Sequence, residues 1–482
     1  MKKFNCIKQI TVWAVLIPIF FSLGIFLSPQ ANAASDPNIL STASILVEVD
    51  TGRVLYANNE NTPVPPASLT KIMTVMLAVE ACEDGKAALN DVVKVNESAY
   101  YDVTADGSTL DIAVGEEITF KDLLYAALVV SANEACNIIA EYISGDISTF
   151  IGLMNQRAQE LGCTNTHFAN THGLPNDDHY TTAHDLYRIA DAAMKLPLFS
   201  QIAGTVEYSI PANNLAEPRS LTTTNNLLIP DSRYYYDLAT GVKTGYTAAA
   251  GYCLVSSAKS DDMSLISVVL GAESLVIEDG STQVRSFSES KRLLQWGFDN
   301  FSYQTILSPL DLLAEVPVLL GDGADTVVLR PKTPIVALLD NEIDITSLKT
   351  EVRIFSEETG EVLSAPISQG DILGSVSVEL DGVDYGTIEL VANTSISLNR
   401  GEYLKQKIKD TFSNTYVRLL IVFLVLLVLS YIAFIIIYNR NRKRKRAIAD
   451  EIARRKIEEL RRGENLTTGK SFEEIENMYK RT

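Results

Sequence analysis

With 482 residues, 46 % of them hydrophobic, the chain is long enough for two to three domains with cores of their own. Its net charge of −19 is uneven: residues 439–482 hold 14 Lys/Arg against 8 Asp/Glu and the first 33 residues add three lysines, which leaves −28 for residues 34–438. So acidic a middle excludes nucleic acid and other polyanions as the main partner.

The chain opens with Lys2, Lys3 and Lys8 before an apolar run from Ile10 to Leu27, then "ANA" at 31–33. That is the pattern of an export signal peptide, residues 1–33, removed at a small-x-small site. Alternation on both sides of the D-T-G turn at Asp50–Gly52 predicts a β-hairpin over 45–59. Pro65 and Pro66 lead into an apolar helix from Ser68 to about Cys82, and helical patterns follow at 119–130, 134–143, 147–162 and 182–196. Two β-rich runs within 251–272 flank an S-D-D turn, and 289–301 reads as a closing helix. Strand, helices, strands is the order of an α/β (α+β) domain, here residues 34–301, whose mostly antiparallel sheet takes its hairpin and its last strands from opposite ends of the segment.

Beyond residue 301 the texture changes to short Val/Ile/Leu runs between turn signals, which predicts a small all-β domain over 302–400 and a juxtamembrane linker over 401–416. One transmembrane helix is expected over 417–438, because Leu419–Tyr438 is 20 residues without a charge. The "NRNRKRKR" that follows marks the cytoplasmic side, so residues 439–482 form a basic inner tail against the anionic leaflet and the folded part lies outside the cell membrane. The four cysteines of the exported part, Cys82, Cys136, Cys163 and Cys253, sit in apolar contexts that fit buried free thiols better than a disulfide framework.

Chemistry concentrates in three short motifs: Ser68-Leu69-Thr70-Lys71, Ser131-Ala132-Asn133 and Lys243-Thr244-Gly245. S-x-x-K alone is weak, since it recurs at Ser256–Lys259 and Ser288–Lys291, and S-x-N recurs at Ser397–Asn399. K-T-G occurs once, and the ordered trio is the signature of penicillin-binding proteins and class A β-lactamases. Serine is a poor nucleophile until a base takes its proton. A lysine three residues on shares its helix face and can be that base if burial or a second cation, for which Lys243 is placed, lowers its pKa. The four histidines, His167, His172, His179 and His184, fall within 18 residues but match no zinc spacing, so no metal and no cofactor is expected.

With "PPASLTKIMT", "GSTLDIAVGEEITFKDLLYAALVVSANEAC", "HFANTHGLPNDDHYTTAHDL", "GVKTGYTAAAGYCLVSSA" and "GDILGSVSVELDGVDYGTIELVA", the chain resembles the serine D-alanyl-D-alanine carboxypeptidases, the low-molecular-mass penicillin-binding proteins, from about Ile45 to Asn399. The resemblance implies a penicillin-binding/β-lactamase-like transpeptidase fold, with peptidoglycan stem peptides as substrate and β-lactams as covalent inhibitors. It implies Ser68 as nucleophile, Lys71 as base, and Ser131 as the group passing a proton to the leaving amine. Asn133 would hold the peptide amide, Lys243 and Thr244 the terminal carboxylate, and Gly245 would admit the substrate backbone as an added strand. The N–H groups of Ser68 and Tyr246 would form the oxyanion hole. His172 and Asp185 are secondary candidates. Glu134 stands where the family often has Asp, and Ser286, one place after Arg285, where it commonly has an arginine. A β-lactamase, an endopeptidase working through the same site and an inactive wall-binding scaffold are the competing readings. The first lacks a class A E-x-x-x-N between Ser131 and Lys243, where Glu160 and Asn165 are five apart.

Overall fold

The computed structural model describes residues 36–277, 280–343, 348–380 and 383–462. The expected signal peptide, residues 1–33, lies outside the described residues, as does the tail beyond 462. The described residues form two compact units, one built from 36–308 with Pro334–Thr350 and Val378–Gly386, the other from Pro309–Thr333, Glu351–Ser377 and 387–462.

The first unit holds a five-stranded antiparallel sheet. Its strands are β1 (Ala43–Glu48), β2 (Val54–Asn58), β3 (Ala239–Thr247), β4 (Gly251–Lys259) and β5 (Ser264–Ala272), in the order β2-β1-β5-β4-β3. The predicted hairpin is β1–β2, and β1 also pairs along its whole length with β5, 217 or more residues on. Alternation sorts the sheet's two faces: Ile45 and Val47 enter the larger core, whereas Leu46 joins Leu265, Leu293 and Leu294 on the other side. On the larger side lie α1 (Lys71–Glu83), α2 (Phe120–Val129), α3 (Asn133–Ser144), α4 (Ile147–Glu160), α5 (Ala183–Met194) and α6 (Pro197–Ala203). The opposite face is covered by α7 (Arg285–Asn300).

Local chemistry explains the helix starts. The side chains of Thr119, Asp146 and Thr182 accept from the backbone N–H groups of Asp122, Thr149 and Asp185. α1 is apolar on nearly every side because it runs through the middle of the core, with Ile72, Met73, Val75, Met76 and Val79 all buried. Two expectations are corrected. Ser68 does not begin the α-helix; Ala67–Thr70 is a 3₁₀ turn before it. K-T-G, left outside the β-rich runs expected within 251–272, lies within β3, an edge strand that two glycines made hard to read from propensity.

In the second part of the chain, Ala314–Pro317, Thr326–Pro331, Val383–Ala392, Ile372–Leu380 and Lys349–Ile354 form a five-stranded sheet in that order. The boundary drawn at residue 301 is blurred, since Phe301–Leu307 pairs with Ile335–Asp340 inside the first unit. The segment read as a linker is helical at Arg400–Ser413, capped by Asn399. After Asn414 one helix runs from Thr415 to Arg462, 48 residues or about 70 Å, more than twice the hydrocarbon thickness. Its apolar part has a mean hydropathy of 3.3.

Candidate active site

The turn that carries Ser68 is forced from two sides. Ala67 sits at φ +49°, a left-handed conformation that costs a β-carbon residue energy. Its carbonyl accepts from the Thr70 hydroxyl at 2.9 Å, and Thr70 Oγ1 is 2.8 Å from His179 Nε2. Because the Ala169 N–H donates to His179 Nδ1, the ring proton lies on Nε2 and points at Thr70. Gly173, at φ +95°, backs the same turn so closely that a Cβ would lie 1.8 Å from the Ala67 oxygen. Gly173→Ala should therefore lower Tm by about 5 °C or more and slow acylation at least tenfold. Thermal melting and a penicillin-labelling time course check this, and an unchanged rate would remove Gly173 from the support of the site.

From this turn α1 aims Lys71 inward. Its side chain is fully buried, and Nζ lies 2.8 Å from Ser68 Oγ, 2.7 Å from Asn133 Oδ1 and 2.8 Å from the His172 carbonyl. Burial lowers its pKa to about 8, against smaller opposing effects of Cys136 and Glu134. The anticipated second cation is not the cause. The charge effect falls the other way: Lys243, also buried, is held well below the ordinary lysine value first by burial and then by Lys71. Once one of two neighbouring amines is charged, the other resists protonation.

Ser131 lies in the short break between α2 and α3, and Asn133 is the first residue of α3. Ser131 takes φ +65°, and its buried Oγ has no hydrogen-bond partner among the described residues. The break is pinned by the Asn133 N–H to the Ser108 carbonyl at 2.8 Å and by Glu134, whose Oε1 accepts from Leu110 N at 2.6 Å. Burial raises the Glu134 carboxyl. The Asp-to-Glu departure thus falls on a residue that fastens a loop.

β3 supplies the third wall. Lys243 and Gly245 share one face of the strand, and a Cβ on Gly245 would come within 3.3 Å of the Ser68 nitrogen, so the strand backbone and the nucleophile turn are neighbours. On the other face, Thr244 Oγ1 lies 2.6 Å from Thr224 Oγ1, and Tyr246 is exposed against Tyr252 with ring centroids 4.4 Å apart. A cleft of about 770 Å³ opens here, lined among others by Ser68, Ser131, Asn133, Thr244, Gly245 and Tyr246.

The structure thus brings together all eight predicted site residues. Of the secondary candidates, His172 is close, with its carbonyl on Lys71, and burial drives its ring down to about 3, so it stays neutral. Asp185 is not in the cleft: it sits in the first turn of α5 and accepts from Asn165 N and Thr166 Oγ1, both at 2.8 Å, as a loop-fastening residue. Arg285 turns to Glu273 at 3.9 Å, while Ser286 lines the cleft. The other S-x-x-K pairs are structural. Ser256 is buried in β4, Ser288 bonds the Arg285 carbonyl, and Lys291 bonds the Tyr235 carbonyl. Asn399 caps a helix, and Cys82, Cys136, Cys163 and Cys253 are free. Sequence reasoning missed Thr70 and Gly173 as supports and, having read the four histidines as loop-organising residues, singled out His172 rather than His179; the H-G-L run held a signal for Gly173, whose positive φ only glycine adopts freely.

Residues 30–274 match the family described as D-alanyl-D-alanine carboxypeptidase. The chain is similar to D-alanyl-D-alanine carboxypeptidase DacF of Bacillus subtilis, 33 % identical over 75 % of this chain and 87 % of that protein. It is also similar to DacA of Haemophilus influenzae, 32 % identical over 82 % and 98 %. Among solved structures, penicillin binding protein 5 from Haemophilus influenzae aligns with a TM-score of 0.54 at 30 % identity, covering 75 % of this chain and 99 % of that one.

Proposed function

The chain belongs to the D-alanyl-D-alanine carboxypeptidase family and is a serine DD-carboxypeptidase, and from that premise we propose that it works through an acyl-enzyme on Ser68. The observation that carries the assignment is the set of partners around Lys71 Nζ. Two of the three, Asn133 Oδ1 and the His172 carbonyl, can only accept. A neutral amine spends its two N–H bonds on them and turns its lone pair to the third, the Ser68 hydroxyl, which can donate.

In this reading Lys71 takes the Ser68 proton as Oγ attacks the carbonyl of the penultimate D-Ala. The developing oxyanion is received by the N–H groups of Ser68 and Tyr246. The Ser131 hydroxyl, without a partner among the described residues, passes its proton to the amine of the departing terminal D-Ala and takes the Ser68 proton back from Lys71, and water then releases the shortened peptide. Thr244 holds the substrate carboxylate together with Lys243, whose charged form an arriving anion favours. β3, as an edge strand, accepts the substrate backbone. Penicillins would acylate the same Ser68. The peptide substrate would be the cell-wall stem ending in D-Ala-D-Ala.

The β-lactamase alternative is disfavoured by the placement of the residues it would need. Glu160 is exposed and bonded to Gln156 and Arg157, and the Asn165 N–H is bonded to Asp185. Incubation with labelled penicillin and with a D-Ala-D-Ala peptide tests the proposal: slow-turnover label and D-Ala release support it. Rapid penicillin hydrolysis would favour the β-lactamase, and neither signal would favour the scaffold.

The long apolar helix would anchor the enzyme with its folded part outside the cell and the basic segment inside. A variant ending at Ser413 should move from the detergent-requiring membrane fraction to the soluble fraction; retention on membranes would show that the apolar helix is not the sole anchor.

A further inference from the structure

Among the residues lining the cleft, Asp106 alone is a carboxylate, and no ammonium or guanidinium lines it; Lys71 and Lys243 are buried behind its walls. The Thr104 hydroxyl and its own backbone N–H hold the Asp106 carboxyl below the ordinary value. It is exposed, and no ion pair engages it among the described residues. The loop that presents it is fixed to the reaction centre: Gly107 N donates to the Thr104 carbonyl at 3.0 Å, and the Ser108 carbonyl accepts from Asn133 N at 2.8 Å. Asp106 therefore stands two residues from the point where the loop is tied to Asn133, the side chain assigned above to the amide on the acyl side of the scissile bond.

A stem peptide offers a matching group on that side. Its residue before the D-Ala pair is a diamino acid, whose side-chain amine is a free ammonium before cross-linking and a neutral amide afterwards. We propose that Asp106 is a specificity-determining residue that receives this free ammonium, so that the enzyme favours stem peptides whose amine has not been acylated. The inference rests on the DD-carboxypeptidase reading of the site. The pair stays in contact with water, so it supplies discrimination of about fivefold rather than a strict requirement.

The test uses the full chain in detergent and the ratio of kcat/KM for D-Ala release from two peptides, Nα-acetyl-L-Lys-D-Ala-D-Ala and its Nα,Nε-diacetyl counterpart. Penicillin labelling counts the folded sites in each variant. The wild-type ratio is expected at about five, falling toward one in Asp106→Asn, below one in Asp106→Lys, and toward one for the wild type in 0.5 M salt. A wild-type ratio near one, or a ratio that Asp106→Asn leaves in place, overturns the role of Asp106 while leaving the reaction standing. Release from neither peptide overturns both.

Discussion

Ser68→Ala is expected to lose all covalent penicillin label and to slow D-Ala release by about 10⁴-fold or more, the range seen when a serine nucleophile is removed. The fold should survive. Ser68 Oγ is partly exposed, its recorded partner is Lys71, and the turn beneath it is held by Thr70, His179 and Gly173 rather than by the hydroxyl. Tm should accordingly stay within a few degrees of the parent. Mass spectrometry of the penicillin adduct is the direct measurement. An adduct that persists in the variant would move the nucleophile elsewhere, with Ser131, a cleft serine whose buried hydroxyl has no partner among the described residues, the next to test.

The second large effect concerns pH. Lys71 can act as base only when neutral, and its pKa lies at about 8. The second-order rate of penicillin acylation should therefore rise about tenfold per pH unit below that value and level off above it. Lys71→Ala should lower the rate by about 10³-fold or more and flatten the limb. A wild-type profile flat between pH 5 and 8 would remove Lys71 as the base. Stability carries the opposite signature to a salt-bridged lysine. Folding lowers this pKa from 10.5, so burying the amine costs stability in full below about pH 8, and the cost fades as pH rises from 8 to 10.5. Lys243, displaced in the same direction, adds to that slope. Such a cost, retained in the middle of a packed core, is what a site kept for chemistry rather than stability is expected to show.

Much of the fold was legible because its signals are local. Alternation around Asp50–Gly52 gave the hairpin, helical patterning gave α2, α4 and α5, and the charge-free run at 419–438 lies within the long apolar helix. The misreadings came where long-range packing overrides local preference. The 3₁₀ turn at Ala67–Thr70 packs directly against Gly173 and is tied through Thr70 to His179, both more than a hundred residues away. The Gly-rich "TGVKTGYT" became an edge strand because β4 pairs with it residue by residue.

The same division runs through the site. Sequence by itself determined which residue types were present in which order, and the company of Ser131-Ala132-Asn133 and Lys243-Thr244-Gly245 separated Ser68-Leu69-Thr70-Lys71 from two chemically identical spacings. It could not say why Lys71 differs from Lys259 or Lys291, because a pKa depends on solvent exclusion and on partners contributed by distant segments. Only the tertiary structure decided that Asn133 and His172 occupy two of the three bonding directions of the Lys71 amine and leave the last for Ser68. That fact is three-dimensional, since the groups that set the proton's position lie 62 and 101 residues from the lysine they control.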